Sequence, residues 1–335
     1  GSVNTPPNKD IRWEKTTTVN VGVDFALFRH RLSGTIEYYN KYSVDLLAAI
    51  NGSPTQGFGY TTLMTNNGKM VNRGVEITLS GEIIRQKDFS WNASLLYAFN
   101  RNKVKHISVQ PSLWDSRISM PTSYPMVGKP LYGIYAYKWA GLNENGDPQV
   151  YDAENNVTSG PARDYHALVY CGTTVPIHNA SLTNVLRYKG FEFSAMLILD
   201  AGHKLRSSNI PSINMSNGRI TSTAKGIVDR WTQPGDVTDV PRLLFSNDTE
   251  NFNTHRTELY RYSDLFVYDA SNIRLSNISL AYRVPAHWCK KISLSGARLQ
   301  FNVENVATFA FDSKANYDLG GKVKPNYVWG LYLNF

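Results

Sequence analysis

Two stretches near the C-terminus decide the fold: Ala297-Arg298-Leu299-Gln300-Phe301-Asn302-Val303-Glu304, and Tyr327-Val328-Trp329-Gly330-Leu331-Tyr332-Leu333-Asn334-Phe335, on which the chain ends. In the first, Ala297, Leu299, Phe301 and Val303 alternate with charged or amide side chains. In the second, Trp329, Leu331, Leu333 and Phe335 alternate with Gly330, Tyr332 and Asn334. A period of two puts one kind of side chain on each face of an extended strand. A final strand that stops on Phe335, with Tyr327 and Trp329 behind it, suggests the last strand of an outer-membrane β-barrel, its aromatics standing in an interfacial girdle. On this stretch alone, a closing strand of a soluble β-sandwich with Phe335 in its core reads equally well.

The same alternation recurs upstream. Val19, Val21, Val23, Phe25 and Leu27 begin it. Leu32, Gly34, Ile36, Tyr38 and Tyr42 follow, then Val75, Ile77, Leu79 and Ile83, then Phe89 to Phe99. Further strands are expected at 179–188, 191–199, 271–284 and 292–309, which with 327–335 makes nine. The connections alternate. Short turns lie at 29–31, 86–88, 189–190 and 285–291. Long polar stretches lie at 48–70, at 106–177 (read as a loop with its own small hairpin) and at 202–268. Short turns on one side and long loops on the other are the mark of an outer-membrane barrel, whereas structureless loops above about 15 residues are uncommon in compact domains. The expectation is all-β: about nine antiparallel strands forming the C-terminal part of a transmembrane β-barrel with long extracellular loops. Nine strands do not close an even-numbered barrel, and Gly1 to Asn8 reads as the inside of a loop with no export signal. The earlier strands are therefore expected outside this chain.

Bulk composition excludes several classes. The 335 residues are 42% apolar, with a mean hydropathy of −0.34. No run of about 18 apolar residues offers a membrane helix. The net charge of +8 is scattered, without a Lys/Arg block, which disfavours nucleic-acid binding. Twelve per cent aromatic residues, with 20 Tyr and 7 Trp, suit girdles or a sugar- or peptide-binding surface. Cys171 and Cys289 form no C-x-x-C motif, and their expected places, an external loop and a turn on the opposite side, keep them apart. No nucleophile elbow, phosphate-binding loop or H-E-x-x-H motif is present. His166, Cys171 and His178 lack a fourth ligand at zinc spacing, and Asp236, Asp239, Asn247, Asp248 and Glu250 lack calcium-loop spacing. No metal and no cofactor are expected.

Several motifs together resemble the SusC/RagA-type TonB-dependent transporters of the Bacteroidetes outer membrane. They are Arg12-Trp13-Glu14-Lys15-Thr16-Thr17, Tyr38-Tyr39-Asn40-Lys41-Tyr42-Ser43-Val44-Asp45, Asn72-Arg73-Gly74-Val75-Glu76, Tyr137-Lys138-Trp139-Ala140-Gly141-Leu142, Asp229-Arg230-Trp231-Thr232-Gln233-Pro234-Gly235-Asp236 and Asn326-Tyr327-Val328-Trp329-Gly330-Leu331. Each is weak alone; their order runs along nearly the whole chain. The resemblance implies a barrel of about 22 strands with a plug, of which residues 1–335 are the C-terminal part, the plug and TonB box lying outside it. It implies import of oligosaccharides or peptides, driven through TonB, under a SusD-like surface lipoprotein that lids the barrel. It also implies a dimer of transporter–lipoprotein pairs in outer-membrane lipid, and no catalytic site.

Loop aromatics and amides are the expected substrate contacts: Trp114, Tyr124, Tyr132 and Trp231 for stacking or packing, Asn209 and Asn214 for hydrogen bonds, with Asn217 beside them. These side chains serve equally well to pack the loops or face the lid. Trp139 and Trp231 fall within the family motifs, which favours loop architecture. Tyr327, Trp329 and Phe335 are expected to carry the barrel-assembly signal. Rival readings are a secreted all-β glycan-binding module or glycosidase, and a siderophore-type TonB receptor.

Overall fold

The computed structural model describes residues 9–51, 62–107, 109, 116–160, 164–215, 224–245, 254–320 and 324–335. Four strands open the chain: β1 (Lys15–Leu27), β2 (Leu32–Asn51), β3 (Thr62–Arg85) and β4 (Phe89–His106). A first excursion carries α1 (Ser116–Ser119), β5 (Gly133–Tyr137), β6 (Trp139–Leu142), β7 (Pro148–Tyr151), β8 (Val157–Thr158) and β9 (Leu168–Thr173). β10 (His178–Tyr188) and β11 (Phe191–Ala201) form a hairpin. A second excursion holds β12 (Lys204–Arg206), β13 (Asn214–Met215), β14 (Leu244–Phe245), α2 (Thr254–Arg261) and β15 (Val267–Asp269). The chain finishes with β16 (Asn272–Arg283), α3 (Ala286–Lys290), β17 (Gly296–Ala310), α4 (Asn316–Leu319) and β18 (Asn326–Asn334).

The nine long strands form one antiparallel sheet in the order β1-β2-β3-β4-β10-β11-β16-β17-β18. Directly paired residues share a face, so the register lays sequence alternation out as rows. Val23, Ile36, Ile77, Tyr97, Ala180, Leu199, Ile273 and Phe309 make one row across eight strands. The next apolar row is Phe25, Gly34, Leu79, Leu95, Leu182, Leu197, Leu275 and Ala307. Between them, on the opposite face, lie Asp24, Thr35, Thr78, Leu96, Ser181, Ile198, Arg274 and Thr308. The apolar face is left open: Val21 and Val23 are each 62% exposed, Leu331 62% and Trp329 78%. A continuous apolar face of this extent belongs against lipid. No helix among the described residues is long and apolar enough to cross a membrane.

The structure extends the first four strands beyond their expected limits: β1 starts at Lys15 and β4 runs to His106. The stretch 48–70 is not all loop: β2 runs to Asn51 and β3 starts at Thr62, with Leu47 opposite Asn66 and Ala48 opposite Thr65 after register breaks near Ser43 and Leu46. Past the apolar band both faces meet water, so the backbone ladder continues without the alternation that would betray it. The expected strand at 292–309 begins instead at Gly296, because α3 occupies the turn and Leu294 N–H returns to the Cys289 carbonyl at 3.0 Å. Both cysteines are free thiols, Cys171 half-buried in β9 and Cys289 buried in α3.

Candidate functional site

Among the described residues, the buried apolar clusters lie in the excursions. Tyr135, Tyr137, Val150, Ala167, Leu168 and Leu259 form one cluster, and Ile213, Tyr260 and Phe266 a second; Trp139 packs against both. The first excursion therefore contributes two small sheets, β5-β9 and β6-β7-β8, in place of the single hairpin expected. Together the excursions make a cap over the long-loop end of the wall.

Polar bonds brace that cap. Asp147, on the turn before β7, receives Arg242 through Nε at 3.1 Å and Nη2 at 2.9 Å, and Arg256 Nε at 3.1 Å. Arg256 is 2% exposed. It also donates to the carbonyls of Ile213 and Arg242 and to the Asn214 side-chain oxygen. Burial pulls its pKa down and the Asp147 carboxylate opposes that pull. Arg206, also lowered by burial, donates to the Tyr135 carbonyl at 2.6 Å. Trp139 Nε1 donates to Asp239 at 2.9 Å and its backbone N–H to Asp264 at 2.9 Å. The Asp269 carboxyl is worked upward by burial, but Ser271 and Lys204 outweigh that and hold it at about 2. Ser208 ties the cap to the last loop through Asp318, at 2.6 Å.

Beneath the cap, the face opposite the apolar rows is polar. Glu37, Glu76, Asn179, Asp200 and Asn272 form one row of it. Asp200 accepts from Asn179 at 2.7 Å and from Arg274 at 3.2 Å. Where wall and cap meet, a cavity of about 400 Å³ is lined by Leu46, Leu47, Met64, Met70, Val104 and Leu131, with hydroxyls from Thr122 and Ser123 and a carboxylate from Glu14. Met70 and Val104 pair in register and fall in the alternation of Glu76, on the polar face of the wall. The cavity thus opens toward the lumen side, and no Phe, Tyr or Trp lines it.

The residues expected to contact substrate are spread out. Tyr124 and Tyr132 are chain neighbours of the lining residues Ser123, Pro125 and Leu131 without lining the cavity themselves. Trp231 lies against Gly146, whose φ of +74° and missing side chain make room for the ring. The Asn214 side chain is engaged by Arg256. Asn209 is exposed, its N–H held by Ser207 Oγ at 3.0 Å. Trp114 and Asn217 lie outside the described residues, as do Asn247, Asp248 and Glu250. Asp236 caps its own turn through Thr232 and Gln233, and His166 pairs with Asp164 at 2.7 Å. Among the described residues, no cluster of three metal-ligating side chains occurs. The cavity residues gave no local signal, because they converge from five separate segments.

A wall with one lipid-type face, one polar face and a braced cap on the long-loop side defines part of an outer-membrane transport barrel. Residues 1–306 match the family described as TonB dependent receptor-like, beta-barrel, and the chain belongs to that family. A TonB-dependent receptor of Formosa agariphila is 25% identical over 346 residues, covering 97% of this chain and 33% of the relative. The TonB-dependent receptor SusC of Bacteroides thetaiotaomicron is 25% identical over 312 residues, covering 89% and 29%. A chain from the structure of the RagAB peptide transporter has the same fold, with a TM-score of 0.75 at 23% identity over 100% of this chain and 37% of that one. The chain therefore spans about a third of the length of these proteins, and it is of the SusC/RagA type in the outer membrane of a Gram-negative bacterium. The reading as a secreted module falls with this assignment.

Proposed function

We propose that this chain is the C-terminal wall and cap of a TonB-dependent importer, and that the imported substrate is a peptide. The observation that carries the substrate class is the lumen-side cavity. Its aliphatic lining, Leu46, Leu47, Met64, Met70, Val104 and Leu131, suits an apolar side chain. The Ser123 and Thr122 hydroxyls beside it can meet main-chain amides. A sugar ring, which presents hydroxyls around its edge and stacks on broad aromatic faces, finds no Phe, Tyr or Trp there, the His106 imidazole being the one aromatic ring in the lining. In this reading Tyr124 and Tyr132, chain neighbours of the lining residues, contact the substrate, and Trp231 and Asn214 act through the cap. A SusD-like lipoprotein lid and TonB coupling complete the transporter, with further strands closing the sheet, since a membrane barrel leaves no open edge.

The test uses the full-length transporter purified from outer membranes in mild detergent, with co-purifying proteins and small molecules identified by mass spectrometry. A lipoprotein partner and a mixture of peptides are expected. Met70→Trp, which fills the cavity, is expected to reduce retained peptide and labelled-peptide uptake by at least tenfold, the cost of blocking one apolar pocket being about 1–3 kcal/mol. Retained oligosaccharide in place of peptide would overturn the substrate class. An iron chelate with no lipoprotein would place the protein with siderophore receptors instead.

A further inference from the structure

At the long-loop end of the wall, β4 parts from the strand beside it. Asn100 N–H still bonds the Ile177 carbonyl at 3.0 Å, but higher up Val104 pairs with Gly128 and Lys129 instead. The fork encloses a cavity of about 580 Å³. Five cations line it, Arg73, Arg101, Lys103, Lys105 and Lys129, and its lining contains no Asp or Glu. None of the five forms an ion pair among the described residues. Arg73 donates to Asn40 at 3.0 Å, and Lys129 Nζ stands 4.8 Å from the centre of the Tyr170 ring.

The register fixes which way this cluster faces. Tyr38, Val75, Phe99 and His178 form the last mainly apolar row toward the loops. Asn40, Arg73 and Arg101 form the next row of the same face, and Tyr42, Val71 and Lys103 the one after. At about 3.4 Å per residue, Arg101 and Lys103 stand roughly 7 and 14 Å along the strand from the aromatic row. The cluster therefore opens on the lipid side of the wall, at the depth of outer-leaflet headgroups, and away from the lumen. Like charges held this close repel unless an anion joins them, and guanidinium groups match phosphate oxygens in pairs. Asn100, between Phe99 and Arg101, falls instead in the alternation of Glu76 and Val104, on the lumen face of the wall.

We propose that this fork binds the phosphate groups of an outer-leaflet glycolipid. The full-length transporter, stripped of lipid in detergent, is titrated with diphosphoryl lipid A, with enzymatically dephosphorylated lipid A and with inorganic phosphate, and bound lipid is read by native mass spectrometry. Diphosphoryl lipid A is expected to bind and to be released as salt rises. R101Q/K103Q is expected to weaken it about thirtyfold, each basic side chain near an anionic surface contributing roughly a factor of five; R73Q/K105Q should do the same. R29Q/K87Q, at the short-turn end, should bind as the wild type does. Unchanged binding in both fork variants, equal binding of the dephosphorylated lipid, or an equal loss in R29Q/K87Q would overturn the site. Displacement of the lipid by an equal concentration of inorganic phosphate would overturn the headgroup as its occupant.

Discussion

Arg256 is, among the described residues, the least exposed charge of the cap, and its neighbours explain why it tolerates that position. Asp147 supplies the countercharge and three oxygen acceptors take three of the four remaining N–H groups. Removing one partner of a buried pair leaves an uncompensated charge, at a cost of about 3–5 kcal/mol. Asp147→Ala is therefore expected to open the cap: hydrogen exchange at Val150 and Leu259 should quicken strongly, while the heat-resistant gel mobility of the barrel stays unchanged. Protection as in the wild type would show that Arg256 finds another carboxylate. The second residue-scale case is Cys171, whose thiol is pushed up to about 11, first by burial and then by the Asp264 carboxylate, against the pull of Arg206 and Lys204. Only the thiolate reacts. At pH 8 it is therefore about one part in a thousand, and alkylation should speed roughly tenfold per pH unit up to pH 11. A rate that levels off near pH 9 would mean the thiol is solvated.

The elements of the cap rest on contacts that no short window of sequence contains. Gly146 closes the Asn143-to-Asp147 turn at φ +74° and lies under Trp231; its carbonyl takes the Arg242 N–H at 3.0 Å. Any side chain at Gly146 is both strained in backbone and placed in the ring. Gly146→Val should cost more than Trp231→Phe, by roughly 1–3 kcal/mol, read as earlier proteolysis of the cap in the full-length protein; equal sensitivity would mean that the ring moves aside. The wall strands were legible because lipid on one side and water on the other force a period of two. β6, β7 and β8, at two to four residues each, are too short to show a period. Asp147 and Arg256 stand 109 residues apart, so their pairing has no signature in either segment. Trp139 and Trp231 drew notice as aromatics of the loops, but the lining of the cavity did not: Leu46, Met70, Val104 and Leu131 look like ordinary strand and loop residues until the register brings them together.

For the molecule as a whole, apolar residues are distributed inside out: the wall turns them outward, and the enclosed core sits in the cap. This follows if lipid is the solvent of one face, and adjacent positions on a single strand can separate that from any other account. Leu182 and Ser181 are neighbours on β10, midway between the row of Phe99 and His178 and the row of Trp91 and Leu186. Leu182 shares its row with Leu95 and Leu197; Ser181 shares its row with Leu96 and Ile198, on the face that carries Arg274 and Asp24. An arginine on the lipid face near mid-membrane costs about 2–4 kcal/mol, while lumen positions tolerate charge. In the full-length transporter, Leu182→Arg should lower the amount of folded protein in the outer membrane severalfold. Ser181→Arg should leave that amount unchanged, because Asp200 and Glu76 lie on its own face and can receive the new guanidinium. The reverse order would exchange the two faces, and with them the lumen-side cavity and the lipid-side cationic fork. Equal losses at both positions would mean that the polar face is packed against protein, where a bulky cation is as unwelcome as it is in lipid.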